Sequence, residues 1–449
     1  MYFKDSYHQG VKVFFAVMLL QLFFPLLNAQ GQLTRKQLIN RALNDSYTIK
    51  NQRNVARQTQ YDIFKLYQTY IPGVSFNMSY THLNDDIQFG IPAINLPLAP
   101  GKVISLDLPP ITLQERNIFK TDISATMVLF TGLKVPYALN SLKHKMAAED
   151  AIAVKEEVSV IKEVADYYDR LALIDQSLMV LNESELRLQR ESAFADKAYK
   201  QGLIGAYDLS KIDIAVQELA ARRIELSSNR RLVISKLYQL TGVSKDSLEN
   251  IHPQLQVFTL SGVFDNPEER PELKALNERT EAGKSKSKMM LTPYLPNIVA
   301  FGKKEMRTED LSAFDPQWYA GIGLRWNIFD GGLAYRDFQK ARIDEDIARN
   351  DLLNARELFN LNLEKALSDA MLASELIAVA DKRRITAEKG LELATRQYEL
   401  GLSSITERLA AETDLQKAKF DFLQSIYNQR VASVSILEAS GRLNTGSLE

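Results

Sequence analysis

The 449-residue sequence predicts a mainly α chain with a membrane β-barrel contribution. It is built as two repeats, each pairing long antiparallel coiled-coil helices with a β-hairpin, so that one chain carries four strands. Three observations lead there. The two halves match at a fixed offset. Two stretches of roughly 65 residues run almost free of Gly and Pro, and shorter segments alternate apolar with polar residues.

The duplication sets the frame. At an offset of 199 residues, Phe130/Phe329, Gly132/Gly331, Tyr199/Tyr398, Gly202/Gly401, Leu203/Leu402, Gln217/Gln416, Asn229/Asn428, Arg231/Arg430 and Gly242/Gly441 coincide without a gap. Upstream the offset becomes 224, pairing Lys50/Lys274, Tyr70/Tyr294 and Pro72/Pro296, so the first half holds 25 extra residues between Tyr70 and Phe130. The boundaries read as a signal peptide at 1–29, a first repeat at 30–242, an equatorial linker at 243–266 and a second repeat at 267–449.

Taking the elements in order, the start carries Lys4 and Lys12 before an apolar run from Val13 to Leu27, interrupted by Gln21 and Pro25. It ends in Leu27-Asn28-Ala29. A basic start, a short apolar core and a small residue at the end form a cleaved secretory signal. An exported chain with no cysteine suits a bacterial periplasm or outer membrane. It also excludes disulfide scaffolds, thiolate metal sites and lipid anchoring through Cys.

The strands are expected at about 72–82, 119–130, 294–304 and 317–329. Val74, Phe76, Met78 and Tyr80 alternate with Ser75, Asn77, Ser79 and Thr81, giving one apolar and one polar face. The only tryptophans, Trp318 and Trp326, share the apolar face of the fourth strand. Eight residues at roughly 3.3 Å separate them by about 26 Å. At a tilt near 40° that spans about 20 Å, close to the aromatic girdles around a roughly 25 Å apolar band. These two residues read as a membrane aromatic girdle against outer-membrane lipid. Four strands cannot close a barrel, and an open edge in lipid strands backbone polar groups. Several copies of the chain must therefore close it together. The insert from Asn84 to Asn117, with Pro92, Pro97, Pro100, Pro109 and Pro110, reads as a mobile external loop.

From Tyr137 to Lys200, and from Leu333 to Leu400 apart from Gly390, no Gly or Pro interrupts the chain. Each stretch spans about 100 Å as a helix. Val154, Val158, Ile161, Ala165, Tyr168 and Ala172 step in fours and threes, the spacing of a coiled-coil seam. Gly202 and Gly401 mark the far tips, where the left-handed conformation ends a helix. Return helices begin just beyond them.

The composition is average, with 45% hydrophobic and 25% charged residues, net charge −1 and mean hydropathy −0.20. That excludes a polytopic helical membrane protein, a disordered chain and a nucleic-acid binder steered by bulk positive charge. His8, His82, His144 and His252 lack partners at ligand spacing, and no phosphate loop or nucleophile motif is present. No metal, no cofactor and no catalytic residue is expected, and the chain does not read as an enzyme.

Together these features resemble the TolC-like outer membrane efflux proteins. The residues that carry the likeness are Tyr70-Ile71-Pro72 and Tyr294-Leu295-Pro296 entering strands, and Phe329-Asp330-Gly331-Gly332 opening a long helix. The paired tips Tyr199-Lys200-Gln201-Gly202-Leu203 and Tyr398-Glu399-Leu400-Gly401-Leu402 complete it. The resemblance implies a homotrimer with a twelve-stranded barrel in the outer membrane and a tunnel in the periplasm. It implies a passive exit duct working with a periplasmic adaptor and an inner-membrane transporter. It also implies a periplasmic aperture at Asp208, Glu407 and Tyr398, with Gly202, Leu203, Gly401 and Leu402 as the adaptor-facing tips. Ala410 and Ser403 depart from the family pattern, where an aspartate and an arginine often stand, so the gate is expected to use fewer or different charged contacts. The alternative class is a soluble or membrane-associated periplasmic coiled-coil adaptor or scaffold, which leaves Trp318 and Trp326 unexplained.

Overall fold

The computed structural model describes residues 33–202, 204–309, 312 and 314–448. The expected signal segment and Leu203 lie outside them. Helices α1 (Arg35–Asp45) and α2 (Tyr47–Gln68) lead into strand β1 (Gly73–His82). Four short strands follow: β2 (Ile87–Phe89), β3 (Ile94–Ala99), β4 (Lys102–Leu106) and β5 (Ile111–Gln114). Then come β6 (Asn117–Thr131), α3 (Lys134–Lys200), α4 (Ala206–Thr241), α5 (Lys245–Glu249) and α6 (Pro271–Met289). The chain ends with β7 (Asn297–Glu305), β8 (Trp318–Arg325), α7 (Leu333–Glu399) and α8 (Ile405–Ala439). Among the described residues, no helix is long and apolar enough to cross a membrane.

The chain divides into two compact units that cut across both repeats. The first holds residues 33–53, 151–274 and 354–448. Its core gathers Leu38 and Ile39 of α1, Val164 and Leu171 of α3, Ile234 and Leu237 of α4, Leu248 of α5 and Leu437 of α8. Burying each such side chain stabilises the fold by about 1.5–3 kcal/mol. α1 starts on a capping box in which Thr34 and Gln37 exchange hydrogen bonds of 3.3 and 3.0 Å. The segment after α5 is held without regular structure of its own. Gln429 of α8 donates to the Phe258 carbonyl at 2.6 Å and accepts from its N–H at 3.0 Å. Beside it, Arg430 pairs with buried Asp169 at 2.8 Å and lies over the Phe258 ring. Burial raises the Asp169 carboxyl, opposed by Arg430 and Arg35.

The second unit, residues 54–150 and 275–353, holds the sheet. Its order is β1-β6-β7-β8, all antiparallel. Phe76 pairs with Ile123 and Ala300 with Ile322 on one face, Asn77 with Asp122 and Lys303 with Tyr319 on the other. The polar face is knitted by Asn77 to Asp122 at 2.9 Å, and by Lys303 to Asp122 at 3.2 Å and to Glu305 at 2.8 Å. Thr131 and Asp330, which correspond at offset 199, both accept backbone N–H groups at the start of the long helices: Val135 at 3.3 Å, and Gly332 and Ala334 at 2.9 and 2.8 Å. Within this unit α6 is tied to α3 by Asn140 to Ser285 at 2.7 Å and His144 to Glu278 at 2.8 Å.

Three elements depart from the expectation. A 3-10 turn occupies Thr292–Tyr294, so β7 begins only at Asn297, past Pro293 and Pro296, which cannot donate to a ladder. β8 ends at Arg325, leaving Trp326 just beyond the strand, its indole N–H donating to the Tyr294 carbonyl at 3.0 Å. The 84–117 segment is not an irregular loop. It forms two antiparallel ribbons, β2 with β5 and β3 with β4.

Candidate functional site at the helical tips and the sheet

Both hairpin tips close the same way. Gly202 N–H donates to the Tyr199 carbonyl and Gly401 N–H to the Tyr398 carbonyl, each at 2.9 Å. Both glycines sit at φ +73°, the left-handed region that a Cβ disfavours. Leu402 follows its glycine with three quarters of its surface exposed.

The return helices begin on paired capping contacts. Asp208 accepts the Gly205 N–H at 3.4 Å, and Glu407 accepts the Ser404 N–H at 3.2 Å while Ser404 Oγ accepts the Glu407 N–H at 3.3 Å. Each acid thus satisfies a donor that helix geometry leaves open and complements the positive helix end. Tyr398 packs on a small core of Ala195, Ile212 and Ile405, joining α3, α4, α7 and α8. Burial raises its hydroxyl, and the carboxylates of Glu191 and Asp208 add to the effect. The structure therefore brings Tyr398 and Asp208 into one electrostatic neighbourhood. Glu407, on the exposed surface, is engaged with its own cap.

A set of contacts that sequence reasoning missed runs along α3 and α8. Glu183, Arg187 and Glu191 stand four residues apart on α3. They meet Lys419 at 2.5 Å, Glu412 at 2.8 Å and Arg408 at 3.2 Å on α8. Burial deepens toward the tip. The Arg187 guanidinium forks onto Glu412, using Nε at 3.0 Å and Nη2 at 2.8 Å. Arg408 is 5% exposed, and its Nε and Nη1 have no partner among the described residues, nor has Glu191 Oε1. Burial raises the Glu191 carboxyl; Arg408 opposes that and Glu399 reinforces it. The signal was present as an acid-base-acid series at i, i+4 spacing. The corresponding α7 positions are Lys382, Thr386 and Gly390, so the acid-base-acid series of α3 is not repeated on α7.

The sheet is the second candidate surface. Every residue of β1 is exposed, including Val74, Phe76, Met78 and Tyr80. Trp318, Ile322 and Leu324 of β8 and the adjoining Trp326 are each more than half exposed. A water-soluble antiparallel sheet covers one face with protein. Here the apolar face has no covering layer among the described residues, and both edge strands, β1 and β8, have only one paired neighbour. An uncovered apolar face and unpaired strand edges call for partners outside the chain.

Residues 267–442 match the outer membrane efflux protein family. The fold agrees over nearly the whole chain. The outer membrane protein VceC from Vibrio cholerae is 14% identical over 91% of this chain and 96% of its own, with a TM-score of 0.73. The CmeC outer membrane channel of Campylobacter jejuni is 18% identical, over 92% and 87%, with a TM-score of 0.71. The MtrE outer membrane channel of Neisseria gonorrhoeae, in its open state, is 14% identical over 91% and 89%, with a TM-score of 0.70. No curated protein matches the chain in sequence. The family match, which falls on the second repeat, and the shared fold support an outer-membrane exit duct.

Proposed function

We propose that three copies of this chain form an outer-membrane channel-tunnel, the passive exit duct of a tripartite efflux or secretion system. The observation that carries this is the bare sheet: an apolar face with Trp318 near its start and Trp326 just past its end, and two open edges. Edges exposed to lipid would leave several kcal/mol of unsatisfied backbone per group, whereas three four-stranded sheets closing on one another leave none. The same surface argues against a periplasmic adaptor, which has no use for a lipid-facing sheet.

In this reading the chain is exported by a cleaved signal. The helical tips form a periplasmic aperture that an adaptor and an inner-membrane transporter open. Asp208, Glu407 and Tyr398 line or brace that aperture, and Gly202, Leu203, Gly401 and Leu402 face the adaptor. Carboxylates ringed at a constriction attract cations and disfavour anions. Because both acids also serve as caps, alanine would confound charge with folding. Asp208→Asn with Glu407→Gln keeps side chains able to accept the cap hydrogen bond. In planar bilayers this double variant is expected to form trimers as before and to lose cation preference. Unchanged selectivity in the intact trimer would remove these residues from the aperture.

A further inference from the structure

We propose that the ribbons β2–β5 and β3–β4 form a hydrophobic cap over the outer mouth, each packing its apolar face against the same ribbons of the other two copies. The inference rests on the trimeric-barrel reading.

Pairing places Ile94 opposite Leu106 and Leu96 opposite Ile104 on one face of β3–β4. Asn95 opposite Ser105 and Pro97 opposite Val103 fall on the other. Closer to the sheet, Phe89 pairs with Ile111. Each of these large apolar side chains is about half exposed or more, so none of the described residues covers either ribbon. A two-stranded ribbon is at best marginally stable alone in water, so an apolar face of this size calls for a partner.

Three observations select another copy over lipid. First, the ribbons leave the sheet through a polar collar. The Leu83 N–H donates to the Arg116 carbonyl and the Arg116 N–H to the Asp86 carboxylate, both at 2.8 Å, with Asp85 and Glu115 beside them. Charged residues at that level mark the end of the apolar band, and the aliphatic residues lie beyond it. Second, residues 87–114 contain no Trp or Tyr and only Lys102 and Asp107 as charges. Interfacial anchors of the kind that Trp318 and Trp326 supply are therefore missing. Third, the ribbons grow directly from β1, an open edge of the sheet, and from its neighbour β6. That edge is where the next copy must join, so ribbons of adjacent copies start side by side. A ring of aliphatic side chains at a pore mouth also gates by excluding water.

The chain has no cysteine, so one introduced thiol is unambiguous. Leu96→Cys and, separately, Ile104→Cys are to be oxidised in isolated outer membranes, with Asn95→Cys as the opposite-face control. Trimer is scored in parallel on unheated gels. The expected result is a disulfide-linked dimer for Leu96→Cys and Ile104→Cys, and little for Asn95→Cys. Leu96→Asp with Ile104→Asp is expected to raise single-channel conductance by about twofold or more by wetting the mouth. A trimer in which Cys replacing Leu96 or Ile104 fails to cross-link overturns the cap alone. Quenching of a fluorophore at these positions by acyl-brominated lipid assigns the face to the membrane and overturns it too. Absence of any trimer overturns the barrel reading and the cap with it.

Discussion

Arg408 shows how much of this chain's behaviour at the tips rests on single side chains. Its guanidinium is almost wholly buried, meets Glu191 at 3.2 Å and leaves two nitrogens without partners among the described residues. Removing one member of a buried ion pair costs about 3–5 kcal/mol, because the other charge stays behind, whereas replacing both by apolar groups is often neutral. Arg408→Ala is therefore expected to speed amide exchange in the first turns of α8, while Glu191→Met with Arg408→Met restores much of the protection. Equal loss in the single and double variants would show that the pair is not coupled. Burial raises the Glu191 carboxyl, so the folded tip binds that proton more tightly than the unfolded chain does. The carboxylate's cost at neutral pH is relieved as pH falls through its raised value, and the attraction to Arg408 is lost with it. Mild acidification should thus slow amide exchange in the first turns of α8 in the parent protein, and this response should be missing when Glu191 is replaced. The acidic and basic residues of α3 were visible in the sequence, but their partners on α8 were not. Arg408 corresponds to Leu209 and Glu191 to Gly390 across the repeat, and the comparison of halves draws the eye to positions that match.

At the scale of elements, duplication and periodicity carried the reading furthest. The absence of Gly and Pro located α3 and α7 to within a few residues, because nothing else terminates a helix so reliably. Alternation located β1 and β6 equally well. It failed for residues 84–117, where five prolines hid the ribbons. Pro97 is tolerated in β3 because a two-stranded ribbon consists entirely of edges, where a missing N–H breaks no ladder. The matched glycines also conceal a difference in surroundings. Gly242 and Gly441 end α4 and α8 at φ +65° and +75°. A Cβ at Gly242 would meet only Asp45 Oδ2 at 3.7 Å, but at Gly441 it would stand 2.6 Å from the backbone of Glu269 and Arg270. Gly242→Ala is expected to cost about 1–2 kcal/mol for the left-handed backbone. Gly441→Ala must also displace backbone, so its thermal midpoint should fall well below that of Gly242→Ala. Similar midpoints would mean that the 269–270 segment yields freely.

The proposed channel explains, at the scale of the whole molecule, how an average composition can conceal a membrane protein. Most of its residues lie in helices, and the four strands of the main sheet alternate polar with apolar residues, so they hardly move the mean hydropathy of −0.20. What does depart from the average is visible only once the chain is folded. A sheet stands with its apolar face and both edges uncovered, and one chain cannot complete it. The central claim is therefore stoichiometric. Native mass spectrometry of the full-length protein extracted from outer membranes in detergent tests it most directly. The account predicts a species of three chains that heating separates into one. A single chain that stays in solution without detergent would contradict it.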